Sequence, residues 1–227
     1  MPQLTLTSEQ QLLRDSAQQL IRSASPVGQL RRMRDLPGTS GLDLELWREM
    51  AQLGWLGSMF PEAYGGLGLG YTELGVVLEA CGSTLATTPL LSSVLLGGGV
   101  LLEAGSEAQK LEHLPAIAGG ERLVALAFEE SARFAPYHVE CVAERSGAGF
   151  RLTGHKRFVI DGHCADALVV SARTSGSSHE RQGISLFQVD AAAQRVRLRR
   201  SALIDSRSVA TLTSTALASG ASIPASA

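Results

Sequence analysis

From Thr7 to about Gly120, apolar residues recur at helical spacing. Thr7 and Gln10 stand at the separation of a capping box, and Leu12, Leu13, Ala17, Leu20 and Ile21 then fall on one face. Leu42–Leu53 reads as a second helix that Gly54 ends. Tyr71–Leu85 reads as a third, with Leu74, Val77, Leu78 and Cys81 on one side. Pro89–Ala104 is apolar nearly all round and predicts a buried helix. Ser106 and Gln109 form another capping box, opening a short helix expected to end before Pro115.

After Gly120 the period changes to two. Leu123–Phe128, Val139–Glu144, Gly149–Thr153, Arg157–Ile160, Ala167–Ala172, Ile184–Val189, Arg195–Leu198 and Val209–Thr213 are strand candidates. Ser146-Gly147, Thr153-Gly154 and Asp161-Gly162 supply turn residues between them. Regularly spaced short strands predict a barrel or sandwich. The expected architecture is α+β in two domains: an all-α domain over residues 1–120 and an all-β domain over residues 121–227.

Between the second and third helices, Gly54–Gly70 (GWLGSMFPEAYGGLGLG) threads Trp55, Leu56, Met59, Phe60, Leu67 and Leu69 among its glycines. Glycine lets such a loop bend sharply while its large side chains seek burial, so it is expected to wall a site. Its GGLGLG run follows a helix rather than a strand, which excludes a Rossmann fingerprint.

Composition narrows the class. With 44% hydrophobic and 19% charged residues the chain is globular, and a net charge of −2 gives no electrostatic case for nucleic acid or an anionic membrane surface. The longest apolar stretch, Leu90–Leu102, is broken by Ser92, Ser93 and three glycines, too short a run for a bilayer. The N-terminus has no secretory pattern, and three cysteines without a framework fit a reducing cytoplasm, the expected location. His138, Cys141, His163 and Cys164 match no common metal-ligand spacing, so no metal site is expected. The arginines of Gln194–Arg200 read as a solvated sheet face.

Glu129 and Glu130 stand where the first strand ends; being adjacent, they point to opposite sides and do not form a facing acid–base pair. Either one remains open as a relocated base. Phe128 and Phe158 offer flat apolar surface, with burial in the core as their default.

Over essentially its whole length the chain resembles the acyl-CoA dehydrogenase family of flavoproteins. The resemblance rests on Gly54-Trp55 leading to Pro61-Glu62-Ala63-Tyr64-Gly65-Gly66-Leu67-Gly68, on Gly105–Lys110 followed by Leu114-Pro115 and Gly119-Gly120-Glu121, and on Leu152–Gly162. It implies FAD as cofactor and an acyl-CoA thioester as substrate: a carboxylate takes the α proton and the β hydrogen leaves as hydride to the flavin. It also implies a homo-oligomer or a partner acyl-CoA dehydrogenase subunit. By the resemblance, Phe128, Glu129, Ala135, Phe158 and Ile160 hold cofactor-binding positions. Glu129 stands where a small hydroxyl is usual, Ala135 where a serine is, and Ile160 where a threonine is, which predicts weakened flavin retention. The family's C-terminal four-helix domain, with its catalytic base, has no counterpart here, so no catalytic residue is assigned. The expectation is a truncated dehydrogenase inactive alone, or alternatively a non-catalytic partner subunit or scaffold that keeps the fold.

Overall fold

The computed structural model describes residues 5–35, 40–147, 149–215 and 217–224, the last of these by backbone only. Helices come first and a mixed sheet follows, in an α+β arrangement. The chain divides into two compact units: Met1–Leu91 with Leu114–Glu121, and Ser92–His113 with Arg122–Ala227.

In the first unit, α1 (Ser8–Ala24) starts on the Thr7–Gln10 capping box. The Gln10 side chain accepts from Thr7 N at 2.9 Å, and Thr7 Oγ1 accepts from Gln10 N at 3.3 Å. A helix the periodicity did not reveal, α2 (Val27–Asp35), follows; none of its residues is buried, so no apolar stripe marks it. In α3 (Leu44–Gln52), Asp43 caps the start and Gly54, at φ 75°, turns the chain out of the end. Leu46, Trp47 and Met50 are buried, and Trp47 Nε1 donates to Gly120 O at 3.1 Å. α4 (Tyr71–Thr84) buries Leu74, Val77 and Cys81.

The Gly54–Gly70 loop folds back and bonds to itself. Leu67 N donates to Gly57 O, Gly68 N to Phe60 O and Leu69 N to Ser58 O, at 2.8–2.9 Å. Trp55, Leu56, Met59 and Phe60 are buried, whereas Leu67 and Leu69 are 47% and 53% exposed. Burial of all six apolar side chains is therefore corrected: the returning limb lies on the outside of the one that packs. At Gly66 a Cβ would collide with the Phe60 backbone, so only glycine closes this fold-back.

Pro89–Ala104 is buried as expected over much of its length, but as a nine-residue π-helix, Leu90–Gly98, running into α5 (Gly99–Ala104). Ser93 Oγ accepts from Val124 N, and a Cβ on Gly97 would strike the Val124 carbonyl. α6 (Glu107–Ala118) begins on the Ser106–Gln109 box but continues through Pro115, against the expected stop. The carbonyl that proline cannot bond belongs to Leu111, on the exposed face, while Leu114 and Ile117 are fully buried. Their packing offsets the lost bond.

The strands are β1 (Val124–Ala127), β2 (Val142–Ser146), β3 (Gly149–Ile160), β4 (Ala167–Arg173), β5 (Ile184–Asp190), β6 (Val196–Ala202), β7 (Ser208–Ser214) and β8 (Leu217–Pro224). They form one sheet in the order β1-β4-β5-β8-β3-β7-β6, with β2 joined to both β3 and β4. The circuit β4-β5-β8-β3-β2 therefore closes on itself. Leu152, Val159, Leu168, Val170, Phe187, Val189 and Leu212 are among its core residues.

Two strand expectations are corrected, and one strand, β8, lies outside them. Gly149–Thr153 and Arg157–Ile160 are one strand, and Gly154 is needed there because a Cβ would sit 2.7 Å from Cys141 Cα. The strand expected from Val139 begins at Val142, because side chains take up three of the backbone groups of residues 139–141 while Val139 N donates to Ser178 O and Cys141 O accepts from Arg173 N. Glu130 accepts from Glu140 N and Cys141 N, and Arg173 Nε donates to Val139 O. β8 has no clear alternation in sequence and is defined by its pairing with β3 and β5.

Two glycine substitutions should move stability in opposite directions. Gly66→Ala forces the Phe60 backbone to shift and should cost about 1–3 kcal/mol or more. Gly75→Ala, on α4 where a Cβ meets nothing within 4 Å, should gain about 0.5–1 kcal/mol. Urea midpoints of the two variants against the parent check both signs.

Candidate functional site

The end of β1 hands the chain to Phe128, Glu129 and Glu130, and what holds this corner is a buried cation. Along β3, Phe150, Leu152, Gly154 and Lys156 share one side, so Lys156 points inward with Leu152 and is 1% exposed. Its Nζ donates to Glu130 Oε1 at 2.5 Å, to Ser171 Oγ on β4 at 2.9 Å and to Phe128 O at 3.4 Å. Glu130 Oε1 also accepts from Cys141 N at 3.1 Å, and Oε2 from Glu140 N at 2.6 Å. Burial pulls the Lys156 ammonium below the ordinary lysine range, and the Glu130 carboxylate pulls the other way. Such a pair persists only when every remaining donor and acceptor is served, as these are. Glu130 is thereby fully committed, which removes it as a relocated base.

Beyond Lys156, β3 carries a bulge. Its register against β7 shifts between Lys156 and Val159, so both point inward although three residues apart. The odd residue is absorbed at Phe158, at φ 52°, a left-handed conformation costing about 1–3 kcal/mol for a non-glycine residue. Phe158 is 54% exposed as a result, which corrects the default of a core aromatic. Arg157 N donates to Glu129 O at 2.7 Å and ties the loop after β1 to the bulge.

These features border an open cleft of about 570 Å³. Glu129, Arg133 and Phe134 line it from the loop after β1, Arg157 and Phe158 from the bulge, and Arg199, Ser201, Val209 and Thr211 from β6 and β7. Of the five cofactor positions read from the sequence, Glu129 and Phe158 line the cleft. Phe128 stands edge-on to Phe134, ring centroids 6.3 Å apart at 80°. Ala135 is half-buried, its carbonyl accepting from His138 N at 2.9 Å, and Ile160 is half-buried in β3 opposite Val209. The Gly54–Gly70 loop lies in the first unit and supplies none of the lining.

Charge in the cleft is uneven. Arg133, Arg157 and Arg199 side chains make no hydrogen bond or ion pair among the described residues. Glu129 Oε2 is out of solvent contact and has no hydrogen-bond partner there either. Unpaired guanidiniums and exposed rings suit an anion that carries an aromatic group. The acceptor-only carboxylate does not suit the N1, N5 and carbonyl acceptors of a flavin, whose ring edge has N3–H as its one donor, so the residues at this end of the cleft do not fit the acceptor side of that ring.

The Lys156–Glu130 pair and its four further bonds were not anticipated from the sequence. The available signal was a lysine in phase with Leu152 on a strand whose other face is exposed. Cys141 adjoins this pair and Cys164 Sγ donates to Asp161 O; burial pushes the Cys141 thiol up to about 11 and the Cys164 thiol up to about 12.

A family model described as acyl-CoA dehydrogenase, N-terminal domain, matches residues 7–121, just over half of the 227. Among curated proteins the chain is 38% identical over 137 residues to acyl-CoA dehydrogenase FadE27 of Mycobacterium tuberculosis, covering 60% of this chain and 35% of that protein. It is 33% identical over 153 residues to mitochondrial isovaleryl-CoA dehydrogenase of Arabidopsis thaliana, covering 65% and 37%. The chain thus matches little more than a third of these relatives' length. Among solved structures, a variant of the Tcur3481-Tcur3483 steroid ACAD superposes with TM-score 0.85 at 32% identity, over 97% of this chain and 58% of that one. The ChsE4-ChsE5 complex from Mycobacterium tuberculosis does so with TM-score 0.84 at 29% identity, over 98% and 58%.

Removing the lysine should be costly. Lys156→Met leaves a buried, unpaired carboxylate and should destabilise the protein by about 3–5 kcal/mol; adding Glu130→Gln should recover part of that loss, as read from denaturant midpoints of single and double variants. The cysteines give a second test. At pH 8 both thiols are protonated in the native protein, so iodoacetamide should label Cys141 and Cys164 slowly. Labelling should accelerate as pH rises toward 11, or at pH 8 once denaturant is added, with peptide mass spectrometry assigning each site.

Proposed function

The chain belongs to the acyl-CoA dehydrogenase family, and from that premise we propose that it serves in the FAD-dependent α,β-dehydrogenation of an acyl-CoA thioester as a partner subunit that keeps the fold without holding its own flavin. Membership supports the reaction class. In that reaction the cofactor supplies the hydride acceptor. The role within it rests on one observation: the Glu129 carboxylate in the cleft, with an unpartnered buried oxygen, where the family resemblance calls for a small hydroxyl. Two similar structures agree with a two-component arrangement by their names, the ChsE4-ChsE5 complex and the Tcur3481-Tcur3483 steroid ACAD.

On this reading the chain's own residues give shape rather than chemistry. Lys156 and Glu130 fix the corner after β1, and Glu129 remains as the one carboxylate of the adjacent pair that faces the cleft. A second reading, a flavin-bearing dehydrogenase portion, is favoured by the exposed Phe158 ring and the three arginines of the same cleft.

Purified alone, the protein should be colourless and show no acyl-CoA-dependent dye reduction above background. Mixed or co-expressed with a flavin-bearing family member that it binds, it should co-elute in size-exclusion chromatography and raise dye reduction over that partner alone. A yellow protein that reduces dye by itself on addition of an acyl-CoA would overturn the subunit role in favour of the second reading.

A further inference from the structure

Glu129 and Glu130 are adjacent, yet their surroundings are opposite. Glu130 has an ammonium and two backbone N–H groups. Glu129 has a solvent-excluded oxygen with nothing to bond among the described residues. Lys156 cannot serve it, because its three donor directions go to Glu130, Ser171 and Phe128 O. Arg133, Arg157 and Arg199 line the same cleft without an ion pair to Glu129.

A ligand entering here meets two ends of different character. The guanidiniums attract phosphate groups. The Glu129 end presents a fixed negative charge that can only accept hydrogen bonds. The resemblance calls for a hydroxyl donor at this position, which implies that the flavin atoms facing it are acceptors (N1, N5 or a ring carbonyl) rather than N3–H, and against those atoms the solvent-excluded Glu129 Oε2 is left without a partner. Ile160, two residues beyond Phe158 on β3, brings no donor to compensate. We infer that Glu129 is the residue that excludes flavin from this cleft, by charge and missing donors rather than by shape. The inference rests on the reading of the cleft as the place where the family's flavin ring would lie.

The experiment titrates the full, flavin-free chain with FAD, following flavin fluorescence and counting flavin per chain after gel filtration. Four proteins are compared: the parent, Glu129→Gln, Glu129→Thr and Glu144→Gln. Glutamine keeps the shape, removes the charge and adds a donor; threonine brings the shorter hydroxyl. Glu144 is exposed on β2 and controls for net charge alone. Both Glu129 variants should bind FAD at least tenfold more tightly than the parent, about 1.4 kcal/mol, and Glu144→Gln should match the parent. Two results would overturn the role of Glu129 while leaving the subunit role standing. One is a flavin-free parent whose Glu129 variants, with unchanged circular dichroism and melting temperature, bind no better. The other is an equal gain from Glu144→Gln. A parent that retains close to one FAD per chain would overturn both.

Discussion

One ammonium inside the sheet governs the geometry of the second unit. Lys156 extends from β3 and meets the carboxylate of Glu130, the hydroxyl of Ser171 and the carbonyl of Phe128, joining β3, β4 and the end of β1 at one point. Through Glu130 the same point holds the backbone of Glu140 and Cys141, just before β2 begins. Taking two charges out of water is expensive, and the arrangement is stable only as a complete set. That constraint draws the Glu140 and Cys141 N–H groups away from strand pairing, and beside it the Arg157 N–Glu129 O bond brings Glu129 and Phe158 to the same cleft.

Much of this fold could be read in the residues. Both capping boxes, Gly54 as a helix stop, the buried segment after Pro89 and most of the strands follow from local rules. What escaped depended on contacts distant in sequence. α2 has no buried face to betray it, β8 is defined by its partners, and Pro115 is tolerated because Leu114 and Ile117 are buried around it. Gly154 looked like a turn residue but is a close-approach glycine against Cys141, a distinction no local pattern contains.

The cleft was legible in a different sense. The sequence named Glu129 and Phe158 among five cofactor positions implied by the resemblance, and both line the cleft. It missed the bulge that turns Phe158 outward, since alternation alone cannot show where a strand slips by one residue. It also missed that two neighbouring glutamates have unlike duties, one holding the corner together and one facing the cleft. Phe128, Ala135 and Ile160 are not among the lining residues; Phe128 meets the lining through Phe134, and Ile160 pairs with Val209.

The sheet ends at β1 and β6, and the two borders are guarded differently. β1 is four residues long, which gives a foreign strand little to pair with. β6 is seven residues long and carries Arg197, Arg199 and Arg200. A second β6 approaching in antiparallel register would bring like charges face to face across the new ladder. Copies of this protein are thereby discouraged from extending one another's sheets into fibres, so assembly with other chains is left to side-chain surfaces, where fit can discriminate between partners.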